Sequence, residues 1–179
     1  MSHFLTGVIL PKEVDEEDAE DAVERALAPY DENIEVAPYR TYIEGYGLER
    51  MRDHYKIETL AECAERVKDW SGRPGGIDEK GLYYLSRYNP ASKWDWWEVG
   101  GRWDGALCRK GTNITSVAKA KLEACFALVP PDGEWIERGE MGWWAIVANE
   151  KSEAEWTEIV RDLAKRYADH LIVAVDCHI

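Results

Sequence analysis

"HFLTGVIL", His3 to Leu10, is the stretch whose reading decides the fold. Its apolar, β-prone residues run to Pro11, which has no N–H for a ladder, so the pattern predicts a buried strand ending there. "LIVAVDCHI", Leu171 to Ile179, has the same character, with a tail that turns polar at Asp176 and His178. Working inward from these strands, helical and extended patterns alternate. Ala19, Ala22, Val23, Ala26 and Leu27 recur at helical spacing behind an acidic first turn, with Asp15 as N-cap and Pro29 as the stop. Thr59–Glu62 and Ser152–Glu155 are capping-box patterns. The first opens a helix whose apolar side is Leu60, Cys63, Ala64, Val67 and Trp70, with residues 48–55 extending it upstream. The second opens one with Trp156, Ile159, Val160, Leu163 and Tyr167 on a single face.

The remaining segments read as strands and turns. "NIEVAPYRTYIE" (33–44) is a strand put at an edge by Pro38, and "LYYLSRY" (82–88) is another. "ACFALVPPDGEWIE" (124–137) is a hairpin turning at Pro131-Asp132-Gly133, and "GWWAIVAN" (142–149) a further strand. "SGRPGGIDEKG" (71–81) reads as a loop, and 110–121 as a loop or short helix. This order predicts one α+β domain over residues 1–179, an antiparallel or mixed sheet with helices on one face. The expectation is a ferredoxin-like sandwich with a central insertion at roughly 45–115.

Composition narrows the function classes. Net charge is −13, and tryptophan occurs nine times against two phenylalanines. A direct grip on nucleic-acid phosphates needs clustered Lys and Arg, so that class is disfavoured. The acidic run from Asp15 to Glu24 reads either as a solvated helix face at the favourable end of its dipole or as an imitation of a line of phosphates. The four cysteines are scattered, nothing at the N-terminus resembles a signal peptide, and no apolar run approaches the roughly 20 residues of a membrane span. The expectation is a cytoplasmic protein with free thiols and no membrane contact.

"KWDWWEVGGRWDG", Lys93 to Gly105, crowds four tryptophans around the Gly100-Gly101 pair, an arginine and three carboxylates. If Lys93–Val99 is extended, Trp94 and Trp96 share one face, with Asp95 and Trp97 on the other. Gly100-Gly101 permits a turn at positive φ that brings Arg102 and Trp103 back beside Asp104. Two readings stand side by side. In one the tryptophans pack the core and Arg102 pairs with Asp95, Glu98 or Asp104. In the other Trp94, Trp97 and Trp103 wall a pocket where Arg102 holds an anion. In the closing strand Asp176 and His178 share a face while Cys177 points away, so these neighbours do not form a Cys–His nucleophile pair. Asp104, Asp176 and His178 are the candidate acid–base residues. His3, His54, His170 and Cys108 show no ligand spacing, so neither a metal nor a cofactor is expected.

Four strings, "LAPYDENIEV", "YNPASKWDWWEVGGRWDG", "PDGEWIERGEMGWW" and "VAVDCHI", together resemble a family of uncharacterised proteins encoded by bacteriophages and prophages. The resemblance implies a phage accessory protein acting inside a bacterium and carries no reaction with it. Three functions follow as expectations. The first is capture of a host protein or small anionic ligand, as a counter-defence factor. The second is a small hydrolase or transferase acting on a nucleotide or glycosidic substrate. The third is a structural or virion-associated part.

Overall fold

The structure, a computed structural model, describes residues 2–142 and 146–179. The chain divides into two compact units, a main unit of Met1–Asn33 with Pro90–Ile179 and an inserted unit of Ile34–Asn89. The main unit opens with β1 (His3–Ile9) and α1 (Ala19–Leu27). The inserted unit contributes β2 (Tyr39–Tyr42), α2 (Gly45–Tyr55), α3 (Leu60–Ser71), β3 (Gly75–Asp78) and β4 (Gly81–Ser86). The main unit then continues with β5 (Trp96–Val99), β6 (Ile114–Ser116), β7 (Ala127–Val129) and β8 (Ile136–Glu137). It ends with the short pair β9 (Glu140–Met141) and β10 (Val147–Ala148), then α4 (Glu153–Arg166) and β11 (Leu171–His178). Trp143–Ala145 of the expected 142–149 strand lie outside the described residues.

The two apolar stretches at the ends of the chain pair with each other at the centre of the main sheet. Its order is β5-β11-β1-β7-β8, with β6 also on β11, and β1 runs antiparallel to β11 and parallel to β7. β5 and β6, inside the 45–115 stretch, are strands of this sheet. Side chains alternate strictly between two cores. Phe4, Val8, Val173, Val175, Ala127 and Val129 join α1 (Ala19, Ala22, Val23, Leu27) in one. Leu5, Ile9, Ile172, Ala174 and Leu128 join α4 (Trp156, Val160, Leu163) in the other. The fold is mixed α+β, as expected, but its helices lie on opposite faces rather than on one. The reason is written in β1 and β11: both are apolar at odd and even positions alike, and a strand of that kind needs cover on both sides. The hairpin strand beside β1 is β7, the first of its hairpin, joined to β1 in parallel by a connection that includes α1.

Local signals act as expected in most places. Both capping boxes are complete: the Thr59 and Ser152 hydroxyls accept from the Glu62 and Glu155 amides, and each glutamate reaches back to its cap. Helix α1 starts later than Asp15, at Ala19. Asp15 instead accepts from the Glu17 and Asp18 amides and shapes the turn before the helix. In the inserted unit, residues 48–55 belong to a separate helix, α2, closed by Lys56 at φ +54. The 71–81 stretch, expected to be a loop, holds the strand β3 at its centre. A Cβ on Gly75 would collide with the Tyr83 carbonyl and with Val67, so the glycine permits β3 to press between β4 and α3. The 110–121 segment holds β6 and a short 3₁₀ turn.

No helix among the described residues is long and apolar enough to cross a membrane. All four cysteines are free, and Cys63, Cys125 and Cys177 are buried.

Candidate functional site

At the His3 end of β1 the sheet changes chemistry on its α4-facing side. His3 faces His178 across β1 and β11, His178 faces Trp96, and Asp176 faces Glu98 across β11 and β5. Directly opposed residues in antiparallel strands share a face, so these five side chains continue the row that begins with Ile9 and Leu5. The row is apolar where Trp156, Val160 and Leu163 cover it and ionisable where that cover ends.

Two histidine–carboxylate pairs form here. His3 Nδ1 lies 3.0 Å from Asp176 Oδ1, and His178 Nδ1 lies 2.5 Å from Asp95 Oδ1. The rings meet edge-on with centroids 4.8 Å apart, and Trp96 approaches His3 at 6.2 Å. Neither Nε2 has a hydrogen-bond partner among the described residues. The surroundings differ. Asp176 is fully buried and receives the Arg102 backbone N–H on Oδ2 at 3.0 Å. Asp95, whose side chain is 38% exposed, is held by its own amide on the His178 carbonyl. Trp96 is half exposed, at 47%.

Of the residues singled out from the sequence, Asp176 and His178 come together, and Arg102 reaches Asp176 through its backbone amide. The Arg102 side chain is exposed and makes none of the ion pairs found among the described residues. The expected latch between its guanidinium and Asp95, Glu98 or Asp104 is therefore replaced by a contact of its backbone amide. Asp104 is engaged elsewhere: its oxygens accept from the Gly111 amide and Asn113 Nδ2, which pin the loop after the turn. Trp94 is 8% exposed, its indole N–H donating to the Leu27 carbonyl at 3.1 Å. Beside it, the Glu32 backbone amide donates to the Trp94 carbonyl and the Lys93 backbone amide to the Tyr30 carbonyl, so the segments flanking the inserted unit are tied together. Trp94 and Trp97 pack with the α1-side core, and Trp103 with the α4-side core. Trp94 and Trp96 do not share a face, because the chain bends at Asp95 and β5 begins only at Trp96.

His3 and Asp95 complete the site and were not among the candidate site residues. His3 lies 173 residues from its carboxylate, and Asp95 lies 83 residues from its imidazole. The available signal was the polar start of one apolar strand and the polar end of another, which antiparallel pairing superimposes.

Other chemistry is constrained. Burial pushes the Cys177 thiol up to about 12, which removes it as a nucleophile near neutral pH. Among the described residues no group of three His, Cys, Asp or Glu is arranged to hold a metal ion. A cleft of about 250 Å³ lies at the opposite end of β1, between α1 and the Pro130–Gly133 turn. Its charged lining residues are Arg25 and Asp132, which form no reactive cluster. No protein-family model, curated protein or solved structure matches the chain.

Proposed function

We propose that the main unit is a small hydrolase or transferase using acid–base catalysis on a phosphodiester of nucleotide type, held at the His3–His178 end of the sheet. The observation that carries this reading is the pair of edge-packed imidazoles, each tied to its own carboxylate through Nδ1. An ionised carboxylate only accepts, so Nδ1 donates and Nε2 is left to take a proton in the neutral ring or give one in the cation. With one ring in each state, the first takes the proton of the attacking hydroxyl or water as its oxygen bonds to phosphorus. The second delivers a proton to the departing oxygen. Exposed Arg102 supplies charge for the phosphate, and Trp96 a flat face for a base.

Two features favour this substrate over its alternatives. Glycoside cleavage by the common route needs two carboxyl groups free to flank the bond, whereas Asp95 and Asp176 are both engaged by imidazoles. The main unit carries thirteen Lys and Arg against twenty-five Asp and Glu, ten of the acids between Glu13 and Glu32. Such a field repels polyanions and admits a ligand with a single negative charge per phosphate. The resemblance of Tyr88–Gly105 and Val173–Ile179 to phage proteins supports a bacterial host cell as the setting, with an accessory, counter-defence role.

The test is a panel of dinucleotides, cyclic dinucleotides and sugar phosphates, assayed for cleavage and by thermal shift. The expected result is turnover of one diester class, reduced about 10²–10⁴-fold in His3→Ala and in His178→Ala. Binding at a hundredfold excess over Kd raises stability by about 2.7 kcal/mol. Binding without turnover would replace catalysis with ligand capture, and neither would leave a structural part.

A further inference from the structure

We infer that Gly101 and the Arg102 backbone amide form a positioning device for Asp176 and, through it, for His3. The inference rests on His3 belonging to the proposed centre and deepens that reading. A carboxylate at 0% exposure needs partners for both oxygens. Asp176 has one on each: His3 Nδ1 on Oδ1 and the Arg102 N–H on Oδ2, both at 3.0 Å. The turn can aim this amide inward because Gly100 and Gly101 sit at φ +76 and +51, where other side chains are strained. Space imposes the same choice at Gly101. A Cβ there would lie 2.6 Å from both Cβ and Oδ2 of Asp176, and 2.7 Å from Glu98 Oε1. The amide that follows the glycine pair thus receives the protein's own anion.

The consequence is specific to one ring. With Asp176 fixed from behind, His3 is held with Nδ1 protonated and Nε2 presented outward. The tautomer of His178 depends on Asp95, which the turn does not hold, so disturbing Gly101 changes the tautomer of His3 and not that of His178. Gly101 is thus a positioning residue, two contacts removed from any reacting atom.

The experiment reads imidazole tautomers by long-range ¹H–¹⁵N NMR of the full chain without substrate. Wild type is expected to show His3 in the Nδ1–H form. Gly101→Ala and Asp176→Ala are expected to lose that preference at His3 and keep the His178 tautomer. Gly133→Ala is the control. It has a similar backbone, at φ +81, with nothing within 4 Å of the added methyl, and is expected to leave both rings unchanged. The inference is overturned if His3 keeps its tautomer in folded Gly101→Ala, if His178 changes equally, or if Gly133→Ala has the same effect. Should Gly101→Ala not fold, wild type still decides: a coupling through the hydrogen bond from the Arg102 amide nitrogen to the Asp176 carboxylate carbon is expected, and its absence overturns the proposal. Loss of the catalytic reading leaves these spectra unaffected, and altered expectations here leave the turnover assay standing.

Discussion

β11 in the main unit and β4 in the inserted unit are both central strands, yet β11 is buried on both faces and β4 mainly on one. Helices α1 and α4 cover β11 from opposite sides. In the inserted unit, Val67 and Cys63 of α3 and Met51 of α2 meet Leu82 on one side of β4. The other side carries Tyr83 against Tyr42, Arg40 over the Tyr83 ring at 4.8 Å and bonded to Asp78 at 2.7 Å, and exposed Leu85. Charge divides as sharply. The inserted unit has nine basic and ten acidic residues, a net −1, which leaves −12 of the total −13 to the main unit. A doubly covered sheet can offer chemistry only where its cover ends, and that is where His3, Asp176 and His178 gather. A singly covered sheet keeps a solvated face whose charges satisfy one another.

The largest expected effect separates the two sheets by burial. Ile172→Ala in β11 lowers stability by about 2–5 kcal/mol, whereas Leu85→Ala in β4 stays within about 0.5 kcal/mol, both read by urea denaturation. Equal losses would break the comparison. Next comes tryptophan. Trp94→Phe leaves the buried Leu27 carbonyl without its donor and costs about 1–3 kcal/mol, while Trp96→Phe on the exposed edge is close to neutral. Differential scanning calorimetry on the two variants would show whether burial, rather than residue type, sets the cost.

Helix caps sharpen the comparison from the other side, because each unit carries one capping box. Thr59→Ala and Ser152→Ala are each expected to cost about 1 kcal/mol at neutral pH, whatever the surrounding charge. A difference severalfold between them would mean that the unit's field reaches its caps. The smallest effect is in their pH dependence. Hydrogen bonds from the cap hydroxyl and then the cap amide hold Glu62 and Glu155 below the ordinary glutamate value of 4.5. A lowered carboxyl contributes stability above the unfolded value and loses it as pH falls through the folded one. The gap between wild type and Glu155→Gln is therefore expected at pH 7 and should narrow below 4.5 in an acid titration of melting temperature.

Much of the framework was legible. The strands at His3–Ile9 and Leu171–His178, the hairpin after Cys125, and the helices behind Thr59 and Ser152 follow from periodicity, proline stops and caps. The misread segments are those where glycine or polarity serves packing rather than a turn. Gly75 lets β3 approach β4 and α3, and the polar 110–121 stretch holds a three-residue strand that depends on β11 for its definition. Of the candidate site, the shared face of Asp176 and His178 was readable from the two-residue repeat of a strand, whereas their partners were not.

Sequence alone determined the two long apolar strands, the helices behind Thr59 and Ser152, and that Asp176 and His178 look the same way, because those properties are settled within a few residues of chain. Tertiary structure alone decided which helix covers which face of the sheet, that Trp94 is a core pin, and that His3 meets Asp176 while His178 meets Asp95. Strand register brings together groups 173 and 83 residues apart, and no local pattern in either partner encodes the position of the other.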